Sequence, residues 1–413
     1  MNVITNTTQV ALRRTPRLLL AGALALLAQL AAPPASAGAY EQAKRIYERI
    51  AGEPPPASVL TQMANAIIAS CGAGGCAANA PGSAPNAGLV NAAQIATNAA
   101  DFYNVTLKNW VIPWTNRDQT VFAPFNDYAA TVIGMVRDNV PFNTALSADI
   151  LYTVAGVSPA PSNSSNAHYA NAEAQGVDLS TALKQTTQSA AYGIPTEATA
   201  GLITTRGAAS AFFINGTNRA MFRFTMINHL CNDMQTVMDI TRPTDRIRQD
   251  VARSPGGDSR LFLNTCVGCH SGMDPMAQAF AYYNFDTTSN QLVYTANQVQ
   301  PKYFINAQNF IYGYVTPDNS WSNRWRAGPN IALGWDQSQP GSGVGAKSLG
   351  QELAGSDAFA QCQVTKVFQA VCFRAPTNAA EMATVSSIKS TFKNSGYKLK
   401  QVFQLAAAAC PGS

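Results

Sequence analysis

The chain has 413 residues, only 12% of them charged, and its formal charge of +5 comes from 28 basic against 23 acidic side chains. A balance this close to neutral, on a sequence rich in Ala, Asn, Thr, Ser and Gln, argues against nucleic acid or an acidic membrane surface as a partner. The length permits a large core and two or three domains.

Residues 1–37 read as a secretory signal peptide. Arg13, Arg14 and Arg17 form its basic head, residues 18–32 its apolar stretch, and Ala35-Ser36-Ala37 its cleavage site. Cleavage removes three arginines and no acid, so a chain starting at Gly38 keeps an excess of two positive charges. Beyond residue 37 no run reaches about 18 uninterrupted apolar residues, so a periplasmic or secreted protein with no transmembrane segment is expected.

Helical spacing of Ala43, Ile46, Tyr47 and Ile50 predicts a helix over 40–50, and Leu60, Met63, Ala64, Ile67 and Ile68 one over 58–70. Further helices are expected at 92–110, 126–138, 218–240, 261–270, 356–370 and 379–393. The aromatic connection through Trp110, Trp114, Phe122 and Phe125 suits a core. Residues 77–91 and 158–171 read as loops, the second holding His168, and 340–346 as a Gly/Ser linker. Short alternation at Leu292-Val-Tyr294, Tyr303-Phe-Ile305 and Phe310-Ile-Tyr312 predicts one small β-hairpin.

The chemistry concentrates in Cys266-Val-Gly-Cys269-His270. C-x-x-C-H is the pattern of covalent haem attachment, in which two thiols add to the haem vinyl groups and the adjacent His becomes the proximal iron ligand. With 8 Cys and 3 His in the chain, chance placement would give it on the order of once in a thousand such sequences. A thioredoxin-like redox pair would need a βαβ context, and a zinc site two more ligands; neither appears around it. One covalent haem c, held by Cys266, Cys269 and His270, is therefore expected. Six cysteines remain, an even number that suits disulfides in an oxidising compartment, and the glycine-rich span between Cys71 and Cys76 makes that pair the specific expectation. The fold class is mainly α: a cytochrome c-like haem region at 191–413, following a helical region at 38–190, with the small hairpin.

The run from Cys266 through Met273-Asp-Pro275 to Asn284-Phe-Asp286 resembles the planctomycete-type cytochrome c domains. Gly201-Leu-Ile-Thr-Thr205 and Asn218-Arg-Ala-Met221 are similar to the segment before the haem in that family, and Phe359-Ala-Gln-Cys362 and Gly396-Tyr-Lys-Leu399 to its closing helices. Asn126-Asp-Tyr128 and Val136-Arg-Asp138 are similar to its N-terminal part. Ala277 stands where the family usually has Gly. The resemblance implies a single exported c-type haem.

The work of such a haem depends on the sixth iron position. His229, on an otherwise apolar helix, and Met382, far beyond the motif, are the distal candidates; His168, Met221, Met226 and Met234 are weaker ones. Met273 and Met276 lie too near His270 and are expected to pack on the proximal side. Asp274 is a candidate to cap the turn after the haem helix, where Asp274-Pro275 breaks the chain, and Arg260 to meet a propionate, although residues of both kinds are more often simple surface or turn residues. The sequence thus favours an electron carrier serving redox partner proteins. The alternatives are a haem enzyme (peroxidase or oxygenase) with an open sixth position and the electron port of a larger complex.

Overall fold

A computed structural model describes residues 38–214, 216–251 and 259–410; the expected signal peptide lies outside the described residues. Helix α1 (Ala39–Ala51) turns Ala43, Ile46, Tyr47 and Ile50 to one buried face and stops where Gly52 takes a left-handed conformation. Helix α2 (Ala57–Cys71) follows the proline run and buries Met63, Ala64 and Ile67. Helix α3 (Ala87–Ala96) begins inside the stretch read as a loop, because the Asn86 side chain accepts the Gly88 N–H at 2.8 Å and caps it. The single helix expected over 92–110 is broken: a π-helical turn Phe102–Leu107, one α turn and a 3₁₀ turn Ile112–Thr115 carry the chain instead.

Helix α4 (Asp127–Arg137) is capped by Asn126 and almost wholly buried. Residues 158–171 are not simply an exposed loop, since α5 (Ala167–Ala174) starts within them and His168 is buried. The His168 ring accepts the Val154 N–H at 3.0 Å and donates to the Pro159 carbonyl at 2.8 Å, and these bonds fix the segment. Helix α6 (Arg206–Phe212) precedes α7 (Arg219–Thr225), which runs on as a π-helical turn, Met226–Leu230. The helix expected to reach residue 240 ends there, because Cys231 is left-handed (φ 56°) and bonded to Cys362. Helix α8 (Val267–Ala277) carries the C-x-x-C-H motif; α9 (Gly345–Gly355), α10 (Asp357–Cys372), α11 (Ala379–Asn394) and α12 (Leu399–Ala409) close the chain.

Three antiparallel ribbons, not one hairpin, accompany the helices among the described residues. Strand β1 (Leu151–Val154) pairs with β2 (Leu183–Thr186), β3 (Tyr283–Asp286) with β4 (Gln291–Tyr294), and β5 (Ser320–Ser322) with β6 (Ser342–Val344). The partner of the expected strand at 292–294 is therefore the segment just after the haem helix, with Tyr283 opposite Tyr294. Tyr303 lies instead in a 3₁₀ turn opened by Pro301, and the expected 340–346 linker contributes β6.

One principal core runs from Ala39 to Ala408. Helix α12 packs on α1, α3 and α10, so the two ends of the described chain share that core. Disulfides close Cys71–Cys76, as the sequence suggests, and also Cys231–Cys362 and Cys372–Cys410. No helix among the described residues is long and apolar enough to cross a membrane.

Candidate functional site

His270 and Asp274 stand one turn apart on α8, spacing that puts both side chains on one face. His270 Nδ1 lies 3.0 and 2.9 Å from the two Asp274 oxygens. An ionised carboxylate only accepts, so the proton of the neutral imidazole belongs on Nδ1 and the Nε2 lone pair is left for a ligand. Asp274 is buried, and burial alone would raise its pKa; Arg219 and His270 hold the carboxyl well below the usual carboxylate range. Arg219 reaches it through Nε at 2.7 Å and Nη2 at 3.0 Å, and the same Nη2 donates to Asp250 at 2.8 Å. Arg248 stands 3.8 Å from Asp274 and pairs with Asp245, which Arg324 also holds.

This network corrects the expected role of Asp274. It binds inward, to His270 and Arg219, instead of capping a turn, and Pro275 lies inside the helix without ending it. An internal proline costs about 3 kcal/mol; the anchored carboxylate before it and the fully buried Met276 after it hold α8 continuous. Met273 is buried too.

The thiols lie at the start of α8. Cys266 ends a π-helical turn, Phe262–Cys266, a deformation that recurs at functional sites. Segment 234–241 braces the motif: Asp239 N–H donates to the Gly268 carbonyl at 2.8 Å, and Ser271 Oγ to the Asp239 carbonyl at 2.7 Å. Cys266 and Cys269 are the cysteines without a disulfide among the described residues. Burial and the Asp233 carboxylate push the Cys269 thiol up, opposite to the lowered pKa of a redox-active C-x-x-C cysteine. The described residues hold no group of three or more His, Cys, Asp or Glu able to bind a bare metal ion, which leaves the zinc reading without further ligands.

Beside the motif is a cavity of about 630 Å³ with Ile247, Phe262, Leu263, Phe310, Ile311 and Tyr312 on its apolar side and Asp245, Arg246, Ser259 and Asn309 among its polar lining; Cys266, Cys269 and His270 do not themselves line it. Cys266 and Val267 pack against the Ile247, Phe262 and Phe310 cluster in its wall, and the Phe262 ring meets the His270 ring edge-on at 5.5 Å between centroids. Arg246 stands exposed at the rim with no ion-pair partner among the described residues. Large apolar side chains face outward around the motif: Tyr312 is 85% exposed, and Ile240, next to Gly268, is 78%. The size lies in the range of prosthetic-group pockets; the apolar side suits a flat, largely apolar ring and Arg246 a carboxylate on it.

The distal candidates lie elsewhere. His229 is buried with its Nε2 2.7 Å from the Tyr128 hydroxyl, between the edge of Trp114 and the face of Phe359. Burial and Lys366 lower its pKa well below the histidine value, and the void it borders, about 10 Å³, cannot hold a porphyrin. Met382 is exposed on α11, which packs on α10 and α12. Met234 meets the motif through its backbone, its carbonyl accepting from Cys269 Sγ at 3.5 Å. Arg260 is exposed on the short turn Ser259–Leu261.

Sequence reasoning missed Arg219, Arg248 and Asp250. The i, i+4 spacing of His270 and Asp274 was a readable signal, whereas Arg219 lies far from both along the chain. Distant parts of the chain meet around the site: Asn218 donates to the Phe280 and Tyr283 carbonyls, and Asp127 accepts the Arg206 and Gly207 N–H groups. Compared with known proteins, the chain matches no family model, no curated protein and no solved structure.

Proposed function

We propose that this chain is an exported monohaem c-type cytochrome that relays single electrons to and from redox partner proteins in the periplasm or at the cell surface. The observation that carries the reading is the pair of unbridged thiols, Cys266 and Cys269, next to an imidazole whose Nδ1 is held by Asp274, all beside a cavity with an apolar side. Cys266 and Cys269 would hold the haem through thioethers, and His270 Nε2 would be the proximal ligand. When bound, the group supplies a one-electron couple at its iron. Phe262, Phe310 and Ile247 would keep water from it, and Arg246 offers positive charge at the rim for a propionate.

A second reading, a haem enzyme with an open sixth position, is favoured by one observation: His229 is enclosed, its Nε2 bonded to Tyr128 and the void it borders only about 10 Å³. Production in a host with c-type haem maturation tests both. Porphyrin that stays with the protein through acid–acetone extraction, and is lost in a Cys266→Ala/Cys269→Ala variant, supports covalent attachment. Complete extraction from the parent protein, or a colourless product, overturns it. A low-spin six-coordinate spectrum supports the carrier, and rapid carbon monoxide binding the enzyme.

A further inference from the structure

The proximal side of this site is not a lone histidine. The His270 imidazole donates to a carboxylate that is buried, and that carboxylate is gripped from behind by a guanidinium using two nitrogens. Asp250 binds the other side of Arg219 at 2.8 Å, and Thr217 accepts from its Nη1. Charged residues face the pair from two sides: Arg219 on α7, and Arg248 and Asp250 on the segment before the motif. Arg248 is itself fixed by Asp245, the Gln278 amide and the Tyr314 ring, 4.2 Å below its guanidinium. Helix α8 keeps Pro275 in its interior to hold Asp274 there.

A carboxylate hydrogen-bonded to the far nitrogen of a ligating imidazole fixes the ring and makes it a stronger electron donor. A more donating ligand stabilises ferric over ferrous iron. A backbone carbonyl in the same place would orient the ring without the negative charge. Asp274, steadied by Arg219, therefore does more than aim His270.

We propose that Asp274 is a positioning residue that sets the reduction potential of the site, holding His270 as a strongly donating proximal ligand and the iron in its ferric state at low potential. This rests on the haem reading above. The step concerned is exchange of one electron between ferric and ferrous iron, the electron coming from dithionite in the titration, with no proton transferred from the pair.

The test is a redox titration of the purified, haem-loaded full-length protein against its Asp274→Asn, Asp274→Glu and Asp250→Asn variants. Hydrogen-bond partners of metal-bound histidines typically change metal affinity or activity about ten- to a hundredfold. Asp274→Asn should accordingly favour the ferrous form about tenfold or more, a rise of about 59 mV per tenfold for one electron. Asp274→Glu should return most of the shift. Asp250→Asn, which leaves the His270 contact in place but lets Arg219 draw more strongly on Asp274, should raise the potential by less and keeps the test open if Asp274→Asn fails to fold. In the five-coordinate ferrous state, the one in which the iron–histidine stretch is seen, its frequency in resonance Raman spectra should fall in Asp274→Asn, which a merely structural role would not produce. An unchanged potential and frequency in a variant that retains covalent haem overturns this inference alone. A parent protein that attaches no haem overturns the functional reading instead.

Discussion

Gly272, two residues after His270, has no room for a side chain: an added Cβ would come 1.9 Å from Trp325 Nε1. Trp325 is fully buried, and α8 crosses it at backbone distance. Gly272→Ala must therefore displace the indole or the helix, and overpacking of this kind costs about 1–3 kcal/mol. A urea midpoint equal to that of the parent would show that the indole moves freely. Lys366 gives a pH signature of its own. Its ammonium donates to the Asn228 carbonyl at 2.7 Å above the Trp114 ring, and burial brings its pKa down to about 7. An unfolded lysine titrates near 10.4. Between about pH 7 and that value the unfolded chain binds more protons than the native one, so stability rises with pH. The rise amounts to at most about 1.4 kcal/mol per pH unit. Lys366→Met should flatten it, read from urea midpoints at pH 7 and 9; a slope unchanged by the substitution would assign the effect to another group, such as Lys302, also brought to about 7. At this scale the motif residues were legible because their order along the chain is itself the chemistry. Arg219 and Trp325 were not, because only tertiary folding brings them to α8.

Elements with long apolar periodicity and a capping residue were readable to within a few positions. The Asn126, Ser356 and Asn378 side chains accept the Ala129, Phe359 and Glu381 N–H groups at 3.1, 3.2 and 3.0 Å and start α4, α10 and α11 where the pattern places them. Elements set by distant partners were not readable. Helix α5 lies in an Asn/Ser/Ala stretch whose composition reads as loop, and the ribbons depend on pairings such as Leu151 with Thr186. The junction of α4 and α6 is a case of the second kind. Asp127 is buried and accepts the Arg206 N–H at 2.6 Å, the Gly207 N–H at 2.8 Å and the Tyr192 hydroxyl at 3.0 Å. Asp127→Ala strands the buried Gly207 N–H out of water and removes the acceptor of the two part-buried donors, at about 1–3 kcal/mol for each one left unpaired. We expect a loss of about 2–5 kcal/mol, with Asp127→Asn losing less because one oxygen still accepts. Equal losses in the two variants, measured by urea unfolding, would mean that charge and not hydrogen bonding holds the junction.

At the scale of the molecule, the mainly helical class was readable from composition and periodicity, whereas the joining of residues 38–190 to the C-terminal helices in one core was not. That joining has a covalent component whose size can be ranked. Cys231–Cys362 closes 131 residues of chain, Cys372–Cys410 closes 38 and Cys71–Cys76 only 5. The entropy a crosslink removes from the unfolded chain grows with the logarithm of the loop, giving ceilings of about 5, 4 and 2 kcal/mol in that order. The longest link also has the most to hold in the native state. Cys231 ends the π-helical turn that carries His229, and Cys362 lies on α10, whose Gln363 and Lys366 donate to the carbonyls of His229 and Asn228. Replacing each pair by serine should thus lower stability most for Cys231/Cys362 and least for Cys71/Cys76, and the first variant alone should expose Trp114 fluorescence to quencher before global unfolding. If the Cys71/Cys76 variant proved the least stable of the three, the loop argument would fail, and the strength of these links would have to come from local packing at the Gly-rich turn.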